Sequence, residues 1–206
     1  MDFLKIDKRI TSRGVTEISP KFVVRKSKDL MIRGKDFYGV YCPKTGFWST
    51  DQDDVVDMID QELAKVSNEC DAISVPHVTR YMWDSDSGSI DAWHKYCQKQ
   101  MSDNYTALNQ TVLFNNSEVT KESFATFKLP YDLASGSTDN WDNLVDQLYT
   151  EEEKHKIEWA IGSIVSGKSK TIQKFFVFYG SAGTGKSTIL NIIQMLFDGY
   201  YSICYS

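Results

Sequence analysis

The chain has 206 residues, 41% of them hydrophobic and 25% charged, with 11 Tyr, 11 Phe and 5 Trp, which excludes a disordered tail or a fibrous repeat and leaves a chain able to bury a core. Its net charge of −5 hides an asymmetry: residues 1–35 carry ten basic side chains against four acidic ones, so the remainder is strongly acidic. No apolar run reaches the roughly 20 residues of a membrane span, the start MDFLKIDKRI lacks a signal-peptide core, and Cys42, Cys70, Cys97 and Cys204 form no C-x-x-C pair; a cytoplasmic protein with reduced thiols and no membrane partner is expected.

Within the basic N-terminal stretch, Arg25, Lys26, Lys28, Arg33 and Lys35 are interleaved with Phe22, Phe37, Tyr38 and Tyr41. Basic side chains track phosphates and aromatic rings stack on bases, so this stretch reads either as a DNA-binding surface or as a solvated basic face. Residues 21–50 mix β-branched and aromatic residues with turn signals, and Pro43-Lys44-Thr45-Gly46 sits between two aromatic runs as a hairpin would. A small antiparallel sheet is expected there. Next, Ser49, Thr50 or Asp51 is placed to cap a helix bearing Val55, Ile59, Leu63 and Val66 on one face. Asp51, Asp53 and Asp54 read as its acidic first turn rather than as a metal cluster. Cys70, His77, His94 and Cys97 have a spacing that matches no common zinc finger.

A loop at 84–89 precedes a predicted helix from Ile90 to Met101, and TVLFNN at 111–116 reads as a strand. FKLPYDLASGSTDN at 127–140 reads as a linker. Two helices follow. Trp141, Leu144, Val145 and Leu148 line the first; the second starts at a Thr150 cap with three Glu, carries Ile157, Ala160, Ile161, Ile164 and Val165, and stops at Gly167. In this second helix His155 reads as a solvated side chain and Trp159 as a packed one.

KFFVFY at 174–179 is a predicted strand, and residues 186–199 a predicted helix with Ile189, Ile192, Ile193 and Leu196 on one face. Between them, Gly180-Ser181-Ala182-Gly183-Thr184-Gly185-Lys186-Ser187 matches G-x-x-x-x-G-K-[ST] in full. Each residue type has a reason. The glycines let backbone N–H groups face phosphate oxygens without a Cβ in the way, and the following helix adds its positive end. Lys186 is placed for the β- and γ-phosphates of ATP, Ser187 for Mg²⁺ and Thr188 for an α-phosphate oxygen. Hydrolysis needs a further acidic residue from another strand and a neighbouring arginine, and the sequence after the loop offers neither. The expectation is an N-terminal piece of a longer protein that binds nucleotide weakly and does not turn it over.

From Thr111 onward the order of features resembles the phage and poxvirus primase-helicase family, whose motor belongs to helicase superfamily three. FKLPYDL is similar to that family's lPydy segment, and Trp141 opens a helix as in the family. Residues 161–167, Ile-Gly-Ser-Ile-Val-Ser-Gly, are similar to its lG.il.g helix end, and the phosphate loop and its helix are similar to GKST.l..l..l.g.y. Upstream, DFYGVYCPKTGFWST resembles the short hairpin that such proteins place ahead of a helical linker.

The resemblance implies an ATP-driven DNA helicase of phage or viral replication, acting on single-stranded DNA as a homo-oligomeric ring, with Lys186 and Ser187 as Mg-ATP ligands. Ser181 and Thr184 stand where members commonly have Pro and Asn, and GTGKST also occurs in AAA+ ATPases. The alternative is therefore a non-catalytic DNA-binding or ring-assembly module of another AAA+-type ATPase. A P-loop kinase of small molecules usually begins with its phosphate loop, which does not fit, and residues 1–130 show no carboxylate cluster for a primase. The expected architecture is an α+β accessory domain with a small antiparallel sheet (1–110), a helical linker (111–168), and the first strand, loop and helix of an α/β P-loop NTPase domain (169–206).

Overall fold

The computed structural model describes residues 1–100 and 104–204, in an α+β chain of two compact units, Met1–Ala107 and Leu108–Ser206. Among the described residues no helix is long and apolar enough to cross a membrane.

The first unit holds two small sheets rather than the one expected from residues 21–50. In one, β1 (Leu4–Ile10) pairs antiparallel with β2 (Thr16–Phe22), and β2 pairs parallel with β6 (His77–Thr79). In the other, β3 (Leu30–Arg33), β4 (Asp36–Cys42) and β5 (Phe47–Ser49) form an antiparallel meander. The turn at 43–46 closes the β4–β5 hairpin, with Gly46 at φ 77° where a Cβ would be strained. The β1–β2 hairpin escapes the sequence pattern because Lys8 interrupts the apolar alternation of Leu4, Ile6 and Ile10. Its parallel partner is three residues long and lies more than fifty residues away, where no local signal reaches.

Helix α1 (Gln52–Ala72) begins at Asp51, whose carboxylate accepts from the Asp53 N–H at 2.9 Å. It lies against β2 and β6 of one sheet and β4 and β5 of the other, burying Val55, Val56, Ile59 and Leu63. Helix α2 (Ser89–Lys99) ends before Met101, which lies outside the described residues. It contributes Trp93 and Tyr96 to an aromatic cluster in which Phe3 lies 5.8 Å from Trp93 and Phe22 5.2 Å from Tyr96. Offset rings of this kind bury large areas and add about 0.5–1.5 kcal/mol per pair beyond burial. The two sheets thus share one core through the two helices.

The second unit is built on α3 (Asp139–Leu148), α4 (Glu151–Val165), the short α5 (Ser169–Ile172) and α6 (Lys186–Leu196). Thr150 caps α4 through a reciprocal box: Thr150 N–H donates to Glu153 Oε2 at 2.9 Å and Glu153 N–H donates to Thr150 Oγ1 at 3.4 Å. Val145, Ile157 and Ile189 bring α3, α4 and α6 onto one core. Phe114, Leu129 and Phe197 form a second, and the half-buried Ile161 and Ile193 touch both.

The strand expected at 111–116 does not form. Its backbone is instead tied to 129–131 by Leu129 N–H to Leu113 O at 2.8 Å and Asn115 N–H to Tyr131 O at 2.9 Å. The first half of the expected linker is therefore packed: Leu129 is buried, and only from Asp132 to Asn140 is the stretch continuously exposed.

The expected strand at 174–179 is also not formed, although its side chains alternate as a strand's do. Phe178 packs on the α3–α4–α6 core and Phe176 lies 5.7 Å from Trp159, while Phe175, Val177 and Tyr179 face outward. The physical reason is pairing: a strand needs a ladder neighbour, and no backbone hydrogen bond is made to this segment among the described residues.

Lys154 of α4 lies 2.7 Å from Asp142 and 2.9 Å from Asp146 of α3. The Lys154 and Thr138 hydrogen bonds hold the Asp142 carboxyl below its ordinary range, the Lys156 bond does the same for Glu152, and the Thr150 N–H for Glu153. Depressed folded-state values contribute stability that is present above the unfolded carboxylate range and lost as pH falls through the folded values. Thermal unfolding followed by circular dichroism should therefore show Tm falling below about pH 4, with a shallower fall in Asp142→Asn. An identical pH profile for the two proteins would exclude this ion pair from the acid response.

Candidate functional site

The glycine-rich loop runs from the end of the unpaired segment to the first turn of α6. Gly180, Gly183 and Gly185 take φ values of 153°, 81° and 76°, in the region that side-chain-bearing residues avoid. Gly185 is fixed by a second constraint, because a Cβ built there would meet Leu148 Cδ1 at 2.7 Å. The end of α3 therefore presses on the loop where α6 begins. Ile189, fully buried between α3 and α4, anchors that first turn.

The loop's polar groups are arranged around one cation. The Lys186 ammonium donates to Gly180 O at 2.9 Å, Ser181 O at 2.5 Å and Thr184 Oγ1 at 3.1 Å, while Thr184 Oγ1 itself donates to Ser181 O at 3.1 Å. All three ammonium donors are thus turned onto the loop's own acceptors. Among the described residues, no backbone carbonyl accepts from the N–H groups of Ser181 to Gly185. Free N–H groups, a lysine folded across them and a helix N-terminus make a surface that attracts an anion. Ser187 and Thr188, in the first turn of α6, are exposed.

Beside the loop lies a cleft of about 330 Å³ lined by Leu148, Tyr149, Glu153, Lys156, Phe178 and Lys186 among others. Sequence spacing singled out Leu148 as part of the α3 apolar face but gave no sign that it, or Tyr149, borders the loop. Only the packing of α3 on α6 reveals it. Glu153, the carboxylate lining the cleft, is committed to the Thr150 cap.

The basic residues named from the sequence fall elsewhere, in the first unit. Arg25, Lys26 and Lys28 stand exposed on the segment between β2 and β3, and Arg33 and Lys35 at the β3–β4 turn. The residues weighed for zinc serve other ends. His77 is bonded to Ser67 Oγ at 2.8 Å and Val75 O at 3.0 Å, and His94 to Gln52 at 3.1 Å. Cys70 and Cys97 are buried, and burial pushes the Cys97 thiol up to about 12. Asp54 accepts from Ser49 Oγ at 2.6 Å.

No family model matches the chain, and no curated protein or solved structure matches it.

Proposed function

We propose that the chain binds a magnesium–nucleoside triphosphate, ATP, at residues 180–188. The observation that carries this reading is the coincidence of positive φ at all three glycines, unpaired N–H groups between them and the Lys186 ammonium folded over the same loop. In the bound state the N–H groups of Ser181, Ala182, Gly183, Thr184 and Gly185 hold phosphate oxygens. Lys186 exchanges loop carbonyls for the β- and γ-phosphates, Ser187 offers its hydroxyl to Mg²⁺, and Thr188 bonds the α-phosphate. The metal's contribution is charge neutralisation on the phosphates.

More narrowly, we propose that this site belongs to an ATP-driven DNA helicase of the phage and poxvirus primase-helicase type, working on single-stranded DNA as a ring of identical subunits. The support for this narrower reading is the order of sequence features from FKLPYDL to the loop. A non-catalytic DNA-binding or ring-assembly module of an AAA+-type ATPase is the second reading. It is favoured by one observation, that Glu153 beside the loop is used as a helix cap and is not free to order a water.

Titration with a fluorescent ATP analogue tests the site. Binding should strengthen when Mg²⁺ is added, and Ser187→Ala should lose that increment while retaining the Mg-independent part. Phosphate release by this chain should stay at the spontaneous rate. Binding indifferent to Mg²⁺ in both proteins would remove Ser187 from the account, and measurable turnover would remove the non-catalytic reading.

A further inference from the structure

We propose that the first unit carries a binding surface for single-stranded nucleic acid, centred on Arg33, Tyr38 and Tyr105 and extended by Arg25, Lys26 and Lys28. The β3–β4 ladder pairs Ile32 with Phe37 and Met31 with Gly39, so Tyr38 is the extra residue of a β-bulge. Bulges redirect a side chain out of the regular alternation of its strand. The Tyr38 ring meets the Tyr105 ring edge-on, with centroids 5.2 Å apart at 60°. The Arg33 guanidinium lies 5.3 Å from the Tyr105 centroid and 6.0 Å from that of Tyr38. Tyr105 is brought there by its neighbours, because Ile32 N–H donates to Asn104 O at 3.1 Å and Thr106 N–H to Met31 Sδ at 3.2 Å. Arg33 is exposed and Tyr105 is 37% exposed. A flat cation and two aromatic rings at a surface are the groups on which unpaired bases stack.

The segment that carries Arg25, Lys26 and Lys28 is held beside this cluster. Gln100 Nε2 donates to Val24 O at 2.9 Å, and Asn104 Nδ2 donates to Ser27 O at 3.3 Å and Leu30 O at 3.1 Å. The Lys28 N–H donates to Asp2 Oδ2 at 2.7 Å. Asn104, which grips the segment, immediately precedes Tyr105. From residue 23 to 38 five basic side chains face two acidic ones, Asp29 and Asp36. Among the described residues no ion pair joins Arg25, Lys26, Lys28, Arg33 or Lys35 to a carboxylate.

A fixed backbone and exposed cations reduce the ordering cost of gripping a phosphate chain. An acidic peptide would share the charge complementarity but make no use of the exposed Arg33 plane and the Tyr105 ring, and a duplex would hide its base faces from them. All of these residues belong to the first unit, and none belongs to the nucleotide site.

Fluorescence anisotropy of the full chain with a labelled oligothymidylate of about 16 nucleotides, a length within the range of single-strand site sizes, tests it. The expected result is saturable binding that weakens as salt rises. Tyr105→Ala lowers affinity by about 5- to 150-fold, the range of one base–aromatic stack, while Tyr105→Phe retains it. Arg33→Lys, which keeps the charge and loses the plane, weakens binding as well. The double variant Arg25→Glu/Lys26→Glu weakens binding and flattens the salt dependence.

Arg13→Glu is the control, because Arg13 sits in the turn closing the β1–β2 hairpin, roughly 20 Å along the strands from the segment at 23–29. It leaves affinity unchanged. The proposal is overturned by absence of saturable binding at low salt, or by Tyr105→Ala and Arg33→Lys both binding like wild type. It is also overturned by Arg13→Glu weakening binding as much as the double reversal, or by polyglutamate or duplex DNA competing as well as unlabelled oligothymidylate.

Discussion

Lys186→Ala is expected to lower the affinity for Mg-ATP by about 10- to 100-fold, the equivalent of one or two charge-assisted hydrogen bonds, without lowering Tm. The two halves of that expectation have separate causes. The Lys186 ammonium is the cation that faces the loop, and its present acceptors are two carbonyls and a hydroxyl of an exposed stretch of chain. Water can replace the ammonium at those acceptors, so the fold loses little. A phosphate chain brought into the loop has no such substitute. Isothermal titration alongside a thermal melt separates the two effects. An unchanged affinity would mean that the loop's lysine does not meet the nucleotide.

Gly199→Ala is expected to be the more damaging change to the fold, by about 2–4 kcal/mol when left-handed strain and overpacking are taken together. Gly199 has φ 81°, and a Cβ there would meet Phe127 Cζ at 2.8 Å and Cε2 at 2.9 Å. Phe127 cannot simply turn aside, because its ring lies 4.5 Å from that of Tyr200. The Tyr200 hydroxyl in turn accepts from Leu113 N–H at 3.0 Å. The turn after α6 is thereby locked to the two segments around 113 and 127. Urea denaturation of the variant should show a lower midpoint. In a Phe127→Ala background, Gly199→Ala should cost only the part due to φ, because the overlap is gone. A variant as stable as the wild type would show that the turn does not pack on Phe127.

Much of the local structure could be read from the sequence because its causes are local. Thr150 followed by three Glu predicts the start of α4, and the reciprocal bonds with Glu153 are how that prediction is realised. Asp51, one of three candidates, turns out to be the cap of α1, and the apolar spacing of Val55, Ile59 and Leu63 gives its buried face. The hairpin at 43–46 follows from a Pro and a Gly between aromatic runs. What could not be read depends on partners distant in sequence. The parallel β2–β6 pairing and the absence of a ladder for 174–179 are of this kind, as is the packing of 127–133 against 111–117.

The candidate sites divide in the same way. The motif at 180–187 announces itself because phosphate binding needs fixed residues at fixed spacing. Leu148 at the edge of that loop carries no such mark, nor does Tyr105 beside Arg33. The Tyr38 bulge is equally silent, since a bulge is a property of two strands and not of one.

Recognition of the phosphate chain by residues 180–188 is measured by competition for a bound fluorescent ATP analogue by ATP, inorganic pyrophosphate and AMP in the presence of Mg²⁺. A site made of backbone N–H groups, Lys186 and Ser187 recognises the phosphate chain, so ATP and pyrophosphate should both displace the analogue while AMP fails at comparable concentrations. Displacement by AMP as effective as by ATP, with pyrophosphate inert, would place recognition on the base and sugar and contradict the assignment of residues 180–188 as the phosphate-binding loop.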